Sequence, residues 1–155
     1  MKIKTIVYGV VFILIFWISI PLALLFLNNY LNLPVLDVFY LKLLGVLLLV
    51  LDPLIFIYCS ILFMKHGKGT PIHIDSPKKF VGKGLYKYSR NPIYIGHIFG
   101  FLGIALIFGQ LLLFVYVPLI FLTIHLIVIF IEEPHLKRKF GKSYDVYRKK
   151  VHRWI

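Results

Sequence analysis

Long apolar runs separated by polar, mostly basic connectors set the architecture of the chain before any motif is considered. The first run, Ile6 to Leu27, carries no charge, and it leads into a connector from Asn28 to Tyr40 with Asn28, Asn29, Pro34 and Asp37 but neither Lys nor Arg. A second run, Leu41 to Phe63, heads back. The third begins at Pro92, turns at Phe108-Gly109-Gln110 and returns as a fourth from Leu111 to Ile131. A span needs about 20 apolar residues to cross a hydrocarbon core of about 30 Å. Ile93 to Ile107 is shorter, about 22 Å of helix at 1.5 Å per residue, so a tilted or locally thinned entry is expected there. After Glu132, Glu133 and Pro134, the residues Leu136, Phe140, Tyr144, Tyr147 and Val151 recur at helical spacing with Lys137, Lys139, Lys142, Arg148, Lys149 and Lys150 mainly opposite. That pattern predicts a closing helix lying along the membrane surface.

The expected fold is therefore all-α: an integral membrane protein with four transmembrane helices, the last two a helical hairpin, plus a C-terminal amphipathic interfacial helix. One domain over residues 1–155 is expected, with two N-terminal spans in 1–63 and a core in 64–155.

Composition agrees. Of the 155 residues 60% are hydrophobic and the mean hydropathy is +0.88, above the apolar share of soluble domains. The net charge of +12 does not point to nucleic acid, because every Lys and Arg except Lys42 falls in three stretches that should share one side of the membrane. Both termini and the basic loop are then cytoplasmic. Cys59 is the single cysteine, which excludes an intramolecular disulfide and a Cys-based zinc cluster. The first run exceeds a signal-peptide core and no small-residue cleavage site follows it, so it reads as a retained span.

Chemistry concentrates at the inner surface. The loop from Met64 to Arg90 is basic, broken by Gly and Pro, and carries Lys83, Tyr86, Lys87, Tyr88 and Arg90 directly before Asn91-Pro92 at a helix entrance. Such a segment reads as the wall of a binding site. Gly82-Lys83-Gly84 lacks the further glycines of a nucleotide fingerprint. Because the third and fourth runs are antiparallel, Arg90-Asn91-Pro92-Ile93-Tyr94 must neighbour Glu132-Glu133. The two acids either cap the closing helix or one of them accepts hydrogen bonds from a polar ligand such as ribose hydroxyls or an amino group. Asp52 either caps a half-helix begun at Pro53 or faces a polar cavity. His97 and His125 read as buried, satisfied histidines rather than a metal pair, and no metal site is expected. Gly96, Gly100 and Gly103 read as a close-packing stripe.

Residues 68–155 resemble the catalytic core of the membrane-embedded methyltransferases that include isoprenylcysteine carboxyl methyltransferase and the phospholipid N-methyltransferases. The resemblance is carried by Gly69-Thr70-Pro71, by Lys79-Phe80-Val81 with Gly84 and Tyr86, by Arg90-Asn91-Pro92-x-Tyr94-x-Gly96, and by Glu132-Glu133, Leu136, Phe140-Gly141, Tyr144, Tyr147, Lys149 and Val151. It implies S-adenosylmethionine as cofactor, held by Lys78, Lys79, Phe80, Val81, Tyr86, Asn91, Pro92, Ile93, Tyr94 and Glu132. It further implies a lipophilic or lipidated acceptor entering from the bilayer; proximity alone makes Arg90 and Tyr94 the candidates for orienting it. Two positions depart from the pattern. Asn91 stands for the histidine of the carboxyl methyltransferases, and Val128 stands where prenylcysteine enzymes carry an arginine thought to engage substrate. A phospholipid amine as acceptor, a sterol-reductase-like enzyme using NADPH and a small non-enzymatic membrane subunit are the alternative readings. The acceptor atom and the oligomeric state stay open.

Overall fold

In a computed structural model of the chain, residues 7, 10–11, 13–67 and 80–155 are described. The Gly69-Thr70-Pro71 motif, Lys78 and Lys79 lie outside them. A π-helical stretch, Ile13–Ser19, leads into α1 (Ile20–Tyr30). Helix α2 (Phe39–Leu62) continues as a π-helical stretch, Phe63–Gly67. A 3-10 turn, Gly84–Lys87, precedes α3 (Pro92–Phe108) and α4 (Leu111–Ile127). A third π-helical stretch, Val128–Glu132, joins α4 to α5 (Glu133–Phe140), and α6 (Lys142–Lys150) follows. The described residues are helical or irregular and form no named strand.

Two continuous helices, Phe39–Gly67 and Leu111–Phe140, are long and apolar enough to cross a membrane, and two shorter apolar helices, Leu14–Tyr30 and Pro92–Phe108, accompany them. The long helices turn much of their apolar surface outward: Leu47 and Leu54 on α2 and Leu119 and Leu122 on α4 are all more than half exposed. Water would penalise so continuous an apolar surface, whereas hydrocarbon solvates it. The chain is built to sit in a membrane.

The hairpin turn falls where the sequence places it. Gly109 adopts φ +67, and a Cβ there would lie 2.1 Å from the Leu36 carbonyl oxygen, so only glycine serves. Around it the connectors interlock: Leu36 N–H donates to Gly109 O at 2.7 Å and Leu111 N–H to Pro34 O at 3.3 Å. Asn28, wholly buried, donates to Leu33 O at 3.2 Å and accepts from Leu112 N–H at 3.1 Å.

Helices α2 and α3 cross at glycines. A Cβ on Gly45 would meet Gly103 O at 2.7 Å, and one on Gly103 would meet Gly45 O at 2.6 Å, which is the close approach small residues allow. A core of Phe101, Ile120, Ile124 and Val128 joins α3 to α4, with Phe16, Trp17, Tyr94 and Trp154 packed against it.

Two expectations are corrected. The fourth run does not stop at the paired acids; the helix continues through Pro134 to Phe140, and the break comes at Gly141, whose φ is +52. The π-helical stretch widens the turn where a proline ring would otherwise strike the preceding carbonyl. Asp52 is not a cap either, since α2 runs unbroken past Pro53.

Candidate functional site

The polar residues gather at the end of the α3–α4 hairpin opposite Gly109. Pro92 opens α3, the position its fixed φ suits, and Tyr94 follows in the first turn. Tyr94 donates its phenolic hydrogen to Glu132 Oε1. Glu132 ends the π-helical stretch and is buried. A π-turn shifts side-chain register by one residue, and such turns recur at functional sites; here it separates the two acids. Glu132 faces Tyr94, while Glu133 receives Arg90 Nη1 at 3.1 Å and Arg153 Nε at 2.6 Å and Nη2 at 3.2 Å. Glu132 holds the N-cap position of α5 and Glu133 lies in its first turn, but Glu132 makes no side-chain capping bond.

Arg90 also reaches Tyr144 Oη at 3.4 Å, yet its Nε is buried and hydrogen-bonded to none of the described residues. Asn91 is spent on structure. Its amide donates to Arg153 O at 2.9 Å and its backbone N–H to Ser89 Oγ at 3.1 Å. With Arg90 N–H on His152 O at 3.0 Å and Trp154 Nε1 on His125 Nδ1 at 3.0 Å, the residues after α6 strap the loop before α3 to the end of α4.

Phe80 packs against Tyr147 at 4.8 Å, Phe140 at 5.6 Å and Tyr144 at 6.2 Å between ring centroids. Tyr147 in turn donates to the Tyr86 carbonyl at 2.7 Å. Val81 and Tyr86 are buried, and Ile93 is half-buried. Burial pushes the hydroxyls of Tyr86, Tyr144 and Tyr147 above the ordinary phenol range. For Tyr86 the neighbouring Cys59, Tyr147 and Glu132 act in the same direction, and for Tyr144 the nearby Glu133 does, against the opposing pull of Arg90. All three are neutral donors at ordinary pH. Arg153 is pushed up as well, which for a cation means it is held charged, chiefly by its bond to Glu133.

Of the residues the sequence singles out, Tyr94 and Glu132 meet directly, and Phe80 and Tyr86 join through Tyr147. Arg90 pairs instead with Glu133, and Asn91 turns to the C-terminal strap. Both histidines have partners. Asp52 Oδ1 lies 2.8 Å from His97 Nδ1, whereas His125 sits apart, accepting from Trp154 Nε1 and packed against Phe121. Tyr94 and His97 also line an apolar cavity of about 90 Å³ with Phe16, Phe101, Thr123 and Ile124. A carboxylate at mid-depth was the available signal for the Asp52–His97 pair; its partner was not readable.

The family model for phospholipid methyltransferases matches residues 40–143, which takes in α2, the loop, the hairpin and the paired acids. The chain belongs to the phospholipid methyltransferase family. Among curated proteins, the protein-S-isoprenylcysteine O-methyltransferase of Schizosaccharomyces pombe is 35% identical over 84 residues, covering 51% of this chain and 36% of its own length. The chain thus matches little more than a third of that relative. No solved structure matches. In this member of the phospholipid methyltransferase family, Val128 is 1% exposed within the apolar core, so the position that differs from the prenylcysteine pattern is a packing residue.

Proposed function

We propose that the chain is an S-adenosylmethionine-dependent methyltransferase acting on a lipophilic, membrane-borne acceptor. The observation that carries the reading is the joining of Tyr94 to Glu132 beside a mostly buried Arg90 whose Nε has no partner among the described residues. These groups suit the cofactor's chemistry. Glu132 accepts from hydroxyl or ammonium groups, Arg90 donates to a carboxylate, and Phe80, Tyr144 and Tyr147 offer ring faces to a sulfonium cation. Lys78, Lys79, Val81, Asn91, Pro92 and Ile93 complete the proposed cofactor wall, the last four by shaping the loop and the start of α3.

When bound, the cofactor supplies a methyl group on sulfur with a neutral thioether as leaving group. Little acid or base strength is then required of the protein toward the donor; alignment and exclusion of water supply most of the rate. Tyr94 belongs to both the polar cluster and the cavity wall, which supports a role in positioning the acceptor, with Arg90 in the adjoining cluster. The reading includes four spans, both termini and the site on the cytoplasmic side, and one domain with its cofactor-binding core in 64–155. Transfer of labelled methyl from S-adenosylmethionine to a membrane lipid extract is the expected result; its absence with folded, lipid-supplemented protein contradicts the reading.

A further inference from the structure

The apolar cavity beside Tyr94 has a volume of about 90 Å³, and its wall draws on one face of each hairpin helix. Tyr94, His97 and Phe101 recur along α3 at helical spacing, and Ile120, Ile124 and Ile127 do the same along α4. From Tyr94 to Phe101 the helix rises about 10 Å at 1.5 Å per residue. The wall has little to give a polar ligand. Thr123 Oγ1 donates to Leu119 O at 2.9 Å, the Tyr94 hydroxyl donates to Glu132, and His97 Nδ1 lies 2.8 Å from Asp52 Oδ1. The rest of the lining is aromatic and aliphatic carbon. A cavity of that kind stays dry and takes up apolar molecules.

Its ends and its rim differ. At one end Tyr94 joins the polar cluster. At the other Phe101, 3% exposed, is backed by Trp17, stacked at 4.4 Å, and by Tyr116, edge-on at 5.5 Å. Between them Thr123 and Ile127 line the cavity and are also exposed on the outer surface of α4. That is the surface the hairpin turns to hydrocarbon, so the cavity opens sideways into lipid.

We propose that this cavity seats the hydrocarbon segment next to the acceptor's reacting atom, that the chain enters from the bilayer past Thr123 and Ile127, and that Phe101 is the floor that limits its depth. This rests on the methyltransferase reading above and names the acceptor class: a single-chain lipid whose hydrocarbon begins close to its reacting group. Size argues for that class. The space is smaller than the ~150 Å³ apolar cavity that holds a benzene ring, so a thin chain enters and a fused-ring sterol does not. Polarity argues the same way. In a diacyl phospholipid a charged phosphodiester separates the amine from the acyl chains. With the amine at the polar cluster, that phosphodiester would fall against the apolar wall, where no Lys or Arg is among the described lining residues and an unpaired charge is costly to bury.

The test uses the purified full chain in lipid-supplemented detergent and a decylamine carrying a mid-chain diazirine. Light-induced adducts are mapped by mass spectrometry, and S-adenosylmethionine binding is measured alongside. Adducts are expected on Phe101, Ile120 or Ile124, and farnesylamine should compete for them at least about tenfold better than dioleoylphosphatidylethanolamine or 3-aminocholestane. Ile120→Phe fills the space, and Ile127→Trp blocks the rim from an exposed position. Each should cut those adducts about tenfold or more while S-adenosylmethionine affinity stays within about threefold. Phe101→Ala lowers the floor, and adducts should then extend to Trp17 or Tyr116. Adducts confined to lipid-facing residues such as Leu119 and Leu122, equal competition by the phospholipid amine or the sterol, or undiminished labelling in both filled variants overturns the inference. Wild-type protein that labels on the cavity wall but fails to bind S-adenosylmethionine overturns the methyltransferase reading and with it the acceptor role, whereas intact cofactor binding with adducts only on the lipid face overturns the inference alone.

Discussion

Arg153 grips Glu133 through both carboxylate oxygens, Nε at 2.6 Å and Nη2 at 3.2 Å. The same carboxylate takes Arg90 Nη1 at 3.1 Å, so one acid at the start of α5 organises both the loop before α3 and the strap after α6.

Glu133→Ala should therefore destabilise the protein by about 3 kcal/mol, because it strands a mostly buried Arg90. Arg153→Ala should cost nearer 1 kcal/mol, since its side chain is 30% exposed and partly compensated by water. Denaturant unfolding in detergent micelles checks the ranking; equal losses would place the weight of the network elsewhere.

At the opposite end, Asn28→Ala removes a wholly buried side chain that both donates and accepts. The Leu112 N–H is left without its partner, and a loss of about 2 kcal/mol is expected. A variant as stable as the wild type in the same unfolding assay would mean that water replaces the amide.

Gly103→Leu should separate α2 from α3, because even a Cβ lies 2.6 Å from the Gly45 carbonyl oxygen. Gly141→Ala should be milder. Nothing lies within 4 Å of its Cβ, and the cost is the backbone's alone, about 2 kcal/mol, because φ +52 with ψ −127 lies outside the left-handed helical region. Thermal unfolding of the two variants side by side reads the contrast.

The phenols of Tyr86, Tyr144 and Tyr147 stay protonated in the folded chain to higher pH than in the unfolded one. Above the ordinary phenol pKa of about 10 the unfolded state loses those protons first, so the folded state holds more protons and stability falls as pH rises. Melting temperature should be insensitive to these groups below about pH 9 and decline beyond it. Tyr147→Phe should shallow that decline while costing about 1 kcal/mol through the lost bond to Tyr86 O. An alkaline limb as steep in the variant as in the wild type contradicts the assignment.

Periodicity and charge placement made much of this legible. The apolar runs, the turn at Gly109, the glycine stripe on α3 and the proximity of Tyr94 to Glu132 follow from helical spacing and an antiparallel hairpin. What stayed hidden depends on how helices face one another. Asp52 and His97 are 45 residues apart, and nothing along the chain says that α2 and α3 turn those two positions together. The run through Pro134 rests on a π-turn, which leaves no hydrophobic period of its own. Asn91 looked available for a ligand because its partner, the Arg153 carbonyl, belongs to a strap formed by backbone groups that any residue possesses.

The account turns on whether the Tyr94–Glu132 cluster holds S-adenosylmethionine. Equilibrium binding of S-adenosylmethionine and of its demethylated product to the purified protein, beside Tyr94→Ala and Glu132→Gln, measures this directly. Binding by the wild type, weakened about tenfold or more in each variant by loss of a charge-assisted hydrogen bond, is the predicted result. Folded wild-type protein that binds neither compound, or variants that bind as tightly as the wild type, would contradict it.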